Sequence, residues 1–274
     1  MVSMGTVWDR ATEFLSDNLS AILPLALLAI FVPVSISQSL GPLTKMGGSA
    51  AMGFQLVSFV LSIVSLWGQL AIMALALDAA GGRASATAAA NRRLLPVIGI
   101  SLVLLIGVFV LMLPFGIALA LSGFDFQAAV AGGKAELPPG VNAFLGLYLL
   151  IFACLLAWLA ARLLLVTPTV IMERRGLGAI GRSFKLTRPV QWKIIGVILL
   201  YLIIWSVSVL AAKFVFGAVF GMIAGGDGPV TLGSVLASIL ESVVLTAFAV
   251  LAAAFTAKLY LAVRDAREAI VDSA

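Results

Sequence analysis

The sequence predicts an all-α integral membrane protein: a single transmembrane domain over residues 1–274, with six transmembrane helices and amphipathic interfacial helices. Its mean hydropathy is +1.19 and 11% of its residues are charged, whereas about a quarter are charged in soluble domains. Several apolar runs exceed the roughly 20 residues that cross a hydrocarbon core. These runs do not alternate as the strands of a membrane β-barrel would, so helices are expected.

The six predicted spans cover residues of about 20–40, 54–78, 95–122, 142–168, 191–224 and 230–262. Three prolines, Pro24, Pro33 and Pro114, fall within these spans. Membrane helices tolerate proline because neighbouring groups satisfy the freed backbone. We therefore expect kinks at these positions rather than breaks.

The positive charges fall almost entirely on one side of the predicted spans. The other side holds only Lys45 and Lys134. Because cytoplasmic loops carry an excess of Lys and Arg, we expect a multi-pass protein of the bacterial inner membrane with both termini in the cytoplasm. The cations on the predicted cytoplasmic side are Arg10, Arg83, Arg92, Arg93, Arg174, Arg175, Arg182, Lys185, Arg188, Lys193, Lys258, Arg264 and Arg267.

A short segment too polar to cross precedes each odd-numbered span, at about residues 6–18, 84–94 and 177–188. Amphipathic segments of this kind lie in the membrane interface. In the third segment we expect Leu177, Ile180 and Phe184 to form the apolar face, opposite Arg182 and Lys185. The pattern favours a threefold repeat of interfacial helix, outward span and return span. Any chain of helical hairpins would also look repetitive, and that alternative stays open.

Lys213 and Glu241 are the clearest ionisable residues inside predicted spans. They stand at equal distances on either side of the turn at 225–228, so an antiparallel hairpin would place them at similar depth. We predict an intramembrane ion pair between them, flanked by small residues such as Gly217 and Gly233 that let the helices approach. The pair would fix the hairpin register or, alternatively, serve as a proton or substrate relay.

A second set of cations is predicted to contact lipid headgroups. Arg162 near the end of the fourth span would reach the headgroups or pair with Asp78 at the matching end of the second span. Each basic residue close to an anionic membrane surface contributes on the order of 1 kcal/mol. The candidate headgroup contacts are Arg162, Arg174, Arg175, Arg182, Lys185 and Arg188.

The sequence predicts no enzyme. It has no histidine and a single cysteine, Cys154, so the commonest metal ligand and the usual general base are missing. No nucleophile elbow, phosphate-binding loop or pair of carboxylates occurs. We therefore expect no catalytic residues, no cofactor and no metal. The pI near 9.7 follows from the basic loops, and no nucleic-acid partner is expected, because no aromatic and basic platform is visible.

One stretch resembles a known family. It comprises Arg162 to Pro168, then Glu173-Arg174-Arg175-Gly176, then Arg182-Ser183-Phe184-Lys185-Leu186-Thr187. It is similar to a bacterial family of six-span inner-membrane proteins that includes the membrane domain fused to some glycerophosphodiester phosphodiesterases. The resemblance covers most of the chain and is sharp over about 160–205; Tyr260 to Arg264 also fits. It implies an association with phospholipid or envelope homeostasis. It carries over no catalytic residue, because those belong to a separate soluble barrel domain.

The leading functional hypothesis is a non-enzymatic membrane protein that acts through lipid headgroups, anionic ones in particular, or through membrane-protein partners. Two alternatives stay open: a small-molecule or ion transporter, and an accessory subunit of a larger membrane complex. Internal repeats suit transporters. Polar residues that would line a path through the membrane are few, namely Gln55, Gln69, Lys213 and Glu241.

Overall fold

The computed structural model describes residues 2–46, 48–127, 141–224 and 230–272, and all regular structure in these ranges is helical. Six segments in these ranges are long and apolar enough to cross a membrane, which confirms the predicted all-α membrane fold. The helices are α1 (Met4–Asp17), α2 (Leu19–Ala26), α3 (Val32–Leu40), α4 (Gly48–Leu77), α5 (Gly82–Leu121), α6 (Val141–Leu163), α7 (Val166–Glu173), α8 (Gly178–Thr187), α9 (Gln191–Ala224) and α10 (Leu232–Asp272).

The first span is reshaped between its two prolines. α2 contains Pro24, the residues Leu27–Phe31 form a π-helical turn, and α3 begins with Pro33 in its first turn. Proline lacks a backbone N–H, and local widening of a membrane helix lets the freed carbonyls find partners. Gly68 of α4 meets this turn so closely that a Cβ on it would lie 2.7 Å from the Cβ of Ala29.

The second amphipathic segment, 84–94, is not a separate interfacial helix, so that part of the prediction is wrong. α5 runs unbroken from Gly82 through Pro96 and Pro114 to Leu121. The turns before Pro96 are rich in alanine, the best helix former, and no glycine occurs between Gly82 and Gly99. The helix therefore continues across the hydrogen bond that Pro96 cannot make.

The fourth span bends before it ends. α6 stops at Leu163, and α7 carries the chain on to Glu173. Arg174 then adopts a left-handed conformation with φ 54°, which ends α7. The chain turns into α8, and the 3₁₀ turn Arg188–Val190 leads directly into α9. The predicted segments 6–18 and 177–188 thus correspond to two separate helices, α1 and α8.

The core lies at the end of the bundle that carries α1 and α8. α4 and α10 are central: α4 packs on α5 and the first span, and α10 packs on α1, α3, α4 and α9. Every residue from Leu70 to Leu77 is buried. By contrast, only 11% of the most apolar stretch of α5 and 6% of that of α9 are buried. The outer surfaces of these two spans are therefore left for lipid or for another protein.

The packing follows the order of the proposed repeat units. The three units begin with α1, with the start of α5 and with α8, and their return spans are α4, α6 and α10. Each opening segment packs on the return span of the preceding unit: the start of α5 on α4, and α8 on α6. α1 packs on α10, the return span of the last unit, so the cycle is closed. Polar or aromatic contacts join each pair. Trp67 of α4 donates to Asn91 of α5 at 2.6 Å, and Trp8 of α1 lies against Phe255 of α10. The arrangement supports the threefold interpretation even though the second segment is continuous with its span.

Candidate functional site

Glu173 is the centre of a polar cluster where α7 turns into α8. Its Oε1 accepts hydrogen bonds from Arg182 Nε at 2.9 Å and from the Tyr260 hydroxyl at 3.1 Å, and its Oε2 lies 3.0 Å from Arg175 Nε. Tyr260 is fully buried in α10. Because charged groups strengthen hydrogen bonds, the cluster fastens the turn between α7 and α8 to the central helix.

Arg162 is held between α6 and α8 and has no acidic partner among the described residues. Its Nη1 donates to the carbonyl of Phe184 at 3.0 Å. Its guanidinium carbon lies 5.4 Å from the ring centre of Trp158 and 5.8 Å from that of Phe184. The Phe184 carbonyl lies in the last turn of α8, where a cation is favourable. Its Nε is buried and makes no hydrogen bond.

The predicted face of α8 is partly wrong. Leu177 is 59% exposed, whereas Ser183 and Thr187 are fully buried. Both hydroxyls have partners: Ser183 donates to the carbonyl of Arg162 at 2.6 Å, and Thr187 donates to the carbonyl of Ser183 at 2.9 Å. Because their hydroxyls are hydrogen-bonded, Ser183 and Thr187 can be buried in the contact between α8 and its neighbours, where Leu177 was expected. Hydropathy periodicity cannot anticipate this, because it scores the hydroxyls as polar.

The six cations predicted to contact headgroups do not share one environment. Two of them pair with Glu173, and the one on α6 is enclosed by aromatic rings, as described above. The remaining three, Arg174, Lys185 and Arg188, are exposed, and none of them belongs to a salt bridge within the described ranges. We call these three residues the α8 cations. They are the predicted headgroup contacts whose charge remains available to an external anion.

Lys258 is a functional candidate that the sequence interpretation treated only as a topological charge. Its Nζ donates to the carbonyl of Ala76 at 2.8 Å and lies 4.6 Å from the ring centre of Phe14. Ala76 is in the last turn of α4, where a cation is favourable. The contact of Lys258 with Phe14 matches that of Arg162 with Phe184: in each case a cation from a return span lies on a phenylalanine of the following amphipathic helix.

Asp78 and Arg162 do not pair, which corrects that prediction. Asp78 is exposed in the turn after α4 and accepts a hydrogen bond from the backbone N–H of Gly81 at 3.3 Å. No salt bridge in the described part of the chain includes either residue. Aspartate readily bonds to the backbone of its own turn, and this local contact ends the span.

Lys213 and Glu241 do not form the predicted ion pair either: no salt bridge among the described residues contains them. Lys213 is exposed on α9, and Gly217, which shares its face, has open space beside it. The small-residue face predicted for α9 is therefore wrong. On α10 the prediction holds at Gly233, where a Cβ would collide with the carbonyl oxygen of Phe220.

The position of Lys213 along α9 explains why it needs no acid. It lies about 20 residues after Lys193, or about 30 Å along the helix, which is about the full thickness of the hydrocarbon core. No charged residue lies between the two lysines. With the two lysines at the two boundaries of the hydrocarbon core, each ammonium group would reach water. The turn at 225–228, from which the depths were predicted, lies outside the described residues.

A ladder of hydroxyls along α10 was missed, although its spacing of four is visible in the sequence. Ser238, Ser242 and Thr246 each donate to the carbonyl four residues earlier, at 2.8, 2.7 and 2.7 Å. Such bonds satisfy a polar side chain inside a membrane without a partner helix. On α3, by contrast, the hydroxyl of Ser35 is buried without a hydrogen bond.

The described residues contain no group of three or more His, Cys, Asp or Glu side chains that could hold a metal ion. Comparison of the chain with protein-family models, with curated proteins and with solved structures finds no match. The resemblance to the membrane domain of glycerophosphodiester phosphodiesterases therefore remains a prediction. The α8 cations, together with the helices that hold them, form the candidate functional site.

Proposed function

We propose that this chain is a non-enzymatic protein of the bacterial inner membrane, with both termini in the cytoplasm, that acts by binding anionic lipid headgroups. Its role would belong to phospholipid or envelope homeostasis. The observation that carries the proposal is the exposed charge of Arg174, Lys185 and Arg188 around α8, which enters no salt bridge within the described ranges. A phosphate group near them would gain about 1 kcal/mol from each cation.

The way α8 is held supports a binding role. The Ser183 hydroxyl bonds to α6 at 2.6 Å, Arg162 bonds to the end of α8 at 3.0 Å, and Glu173 joins α8 to Tyr260 of α10. Charges on a fixed helix lose less conformational freedom on binding than charges on a loose loop. The lightly buried outer faces of α5 and α9 also leave room for a membrane-protein partner.

The test neutralises the α8 cations together. Protein in nanodiscs of equal phosphatidylglycerol and phosphatidylcholine is transferred to mild detergent, and mass spectrometry counts the lipids that remain bound. We expect the wild-type protein to enrich phosphatidylglycerol. We expect R174Q/K185Q/R188Q to lower that preference, by about fivefold for each charge that contacts a headgroup.

The matched control removes the same net charge from other exposed positions, as R83Q/R92Q/R267Q. A headgroup site at α8 requires the first triple variant to lose much more phosphatidylglycerol than the control. Equal losses would show that only the overall charge of this side of the protein attracts the lipid. An unchanged preference in both variants would also contradict the proposal.

A further inference from the structure

An apolar groove lies beside α1, and none of the three α8 cations lines it. Its volume is about 610 Å³, within the roughly 300–1,000 Å³ of ordinary ligand sites. α1 covers it with Met4 and Trp8, α6 contributes Ala160, the turn after α6 contributes Leu164, and α9 and α10 supply most of the remaining walls. The groove is thus built from three parts of the chain that are distant in sequence: α1, the end of α6, and the pair of α9 and α10.

The lining of this groove is mostly apolar, with two polar side chains, Tyr201 and Thr256, among the residues that form it. The hydroxyl of Tyr201 donates to the carbonyl of Phe248 at 3.2 Å. The other walls are chiefly aliphatic and aromatic, such as Leu251 and Phe255. A hydrocarbon chain suits a lining that offers it dispersion contacts over most of its surface.

Lys193 lies close to the groove, near the N-terminal end of α9. A second hollow, lined by Lys193 and Gly196, adjoins the groove, and Met4, Val197 and Leu200 line both. Lys193 is exposed, and its Nζ donates to the carbonyl of Val2 at 3.1 Å. An ammonium group has three N–H donors, and no salt bridge in the described ranges includes this one.

The groove and the adjoining hollow together match the length of one leaflet of a membrane. Lys193 and Ile204, a lining residue near the far end, are about 11 positions apart on α9, or about 16 Å along the helix. One leaflet of the hydrocarbon core is about 15 Å thick, half of the whole. A chain that starts at Lys193 and follows the groove would therefore end near the middle of the bilayer.

We propose that this groove holds one anionic phospholipid, with an acyl chain under α1 and its phosphate at Lys193. The inference deepens the proposed function and rests on it, but it assigns a different site and a resident lipid. The charge at one end and the apolar lining along one leaflet match the two parts of a phospholipid. Binding would fasten α1 to α6, α9 and α10.

The test places a large side chain in the groove. Purified protein is delipidated and supplied again with phosphatidylglycerol or phosphatidylcholine, and native mass spectrometry measures the lipid that it binds. Wild-type protein should retain one phosphatidylglycerol. A252W should weaken that binding about tenfold or more, because each methylene displaced from an apolar site weakens binding about fourfold. The control A218W places the same side chain on an exposed position of α9 outside the groove and should retain the lipid. If A252W fails to fold, A160W at an exposed wall position replaces it.

The charge of Lys193, beside the groove, is tested separately. K193Q should lower the affinity for phosphatidylglycerol about fivefold and that for phosphatidylcholine by less, because the choline ammonium offsets the charge of its phosphate. K185Q, which removes an exposed charge from α8, should leave the resident lipid in place. Retention of the lipid by A252W and A160W would overturn the assignment. So would a wild-type dimer that A252W separates, because a second copy would then fill the groove.

The two proposals can fail independently. If the groove variants lose the resident lipid while R174Q/K185Q/R188Q keeps its lipid preference, the groove assignment stands and the α8 proposal fails. If the triple variant loses its preference while the groove variants keep the resident lipid, the α8 proposal stands and the groove assignment fails.

Discussion

In the described part of the chain, Arg162 is held by contacts with a backbone carbonyl and aromatic rings rather than with a carboxylate. One carbonyl at 3.0 Å and two aromatic rings within 6 Å surround its guanidinium. A cation over an aromatic ring gains about 0.5–2 kcal/mol, the more so where water is scarce. Arginine suits such a site better than lysine, because its flat guanidinium can donate a hydrogen bond and stack at the same time. Lys258 makes the simpler pair of contacts, one with the carbonyl of Ala76 and one with the ring of Phe14.

The Glu173 cluster gives a prediction at the residue scale. E173A should lower the free energy of unfolding by about 1–3 kcal/mol or more, because it leaves the Tyr260 hydroxyl and the Arg182 guanidinium without their acceptor. Y260F should cost less, about 1 kcal/mol, since it removes a single hydrogen bond. The measurement is reversible unfolding of the purified protein in mixed micelles by titration with a denaturing detergent.

D265A is the matched control for the Glu173 variants. Asp265 pairs with Arg264 at 3.0 Å but its side chain is 54% exposed, against 18% for Glu173. Exposed ion pairs contribute about 0–1 kcal/mol, so D265A should change stability little. If D265A destabilises the protein as much as E173A, the burial of the cluster is not what gives Glu173 its importance.

At the scale of the helices, backbone chemistry matters as much as hydropathy. Pro96 leaves α5 continuous, while Pro24 and Pro33 flank a π-helical turn. The difference lies in the surroundings: the alanine-rich turns before Pro96 favour helix, and the turn in the first span packs on α4 at Gly68. A proline therefore signals a local irregularity, whose form the neighbouring helix decides.

Gly68 gives a prediction at this scale. G68A should destabilise the protein by about 1–3 kcal/mol, because overpacking forces the π-helical turn away from α4. G217A, where a Cβ meets nothing within 4 Å, should be neutral or stabilise α9 by up to about 1 kcal/mol through helix propensity. The same unfolding titration compares the two variants. Equal stabilities for G68A and G217A would show that the first span does not depend on close contact at Gly68.

At the scale of the whole molecule, the chain combines a tight core at one end with lightly buried outer surfaces of α5 and α9. The amphipathic segments, the buried end of α4 and most of the described cations gather at the same end. That end carries both of the proposed headgroup sites, at α8 and at Lys193.

Orientation in the membrane gives a prediction for the whole molecule. On a C154A background, A269C near the end of α10 and Q127C after α5 place single thiols at opposite ends of the spans, both exposed. If the basic end faces the cytoplasm, a membrane-impermeant maleimide added to intact spheroplasts should label Q127C and leave A269C unlabelled until the cells are lysed. The reverse pattern would contradict the predicted orientation.

Much of the fold was predictable, and the side-chain contacts of the site were less so. The six spans follow from runs of apolar residues, because crossing a hydrocarbon core requires a minimum length of apolar helix. The hydroxyl ladder on α10 was also readable from its spacing. The buried face of α8 was not, since Ser183 is buried only because the Arg162 carbonyl lies 2.6 Å away. The pair of Lys213 and Glu241 was predicted from matching depth, but depth does not specify the rotation of a helix about its axis.

By itself the sequence determined that the chain crosses a membrane six times, since the local apolar content of each run decides this. It also determined the asymmetric distribution of basic residues, from which the orientation is predicted. Only the tertiary structure decided which charges are engaged: Glu173 neutralises Arg182, while Lys185 remains exposed. The tertiary structure also decided that four helices enclose an apolar groove beside Lys193. Hydropathy is a property of each segment alone, whereas pairing and enclosure depend on the rotation and proximity of helices distant in sequence.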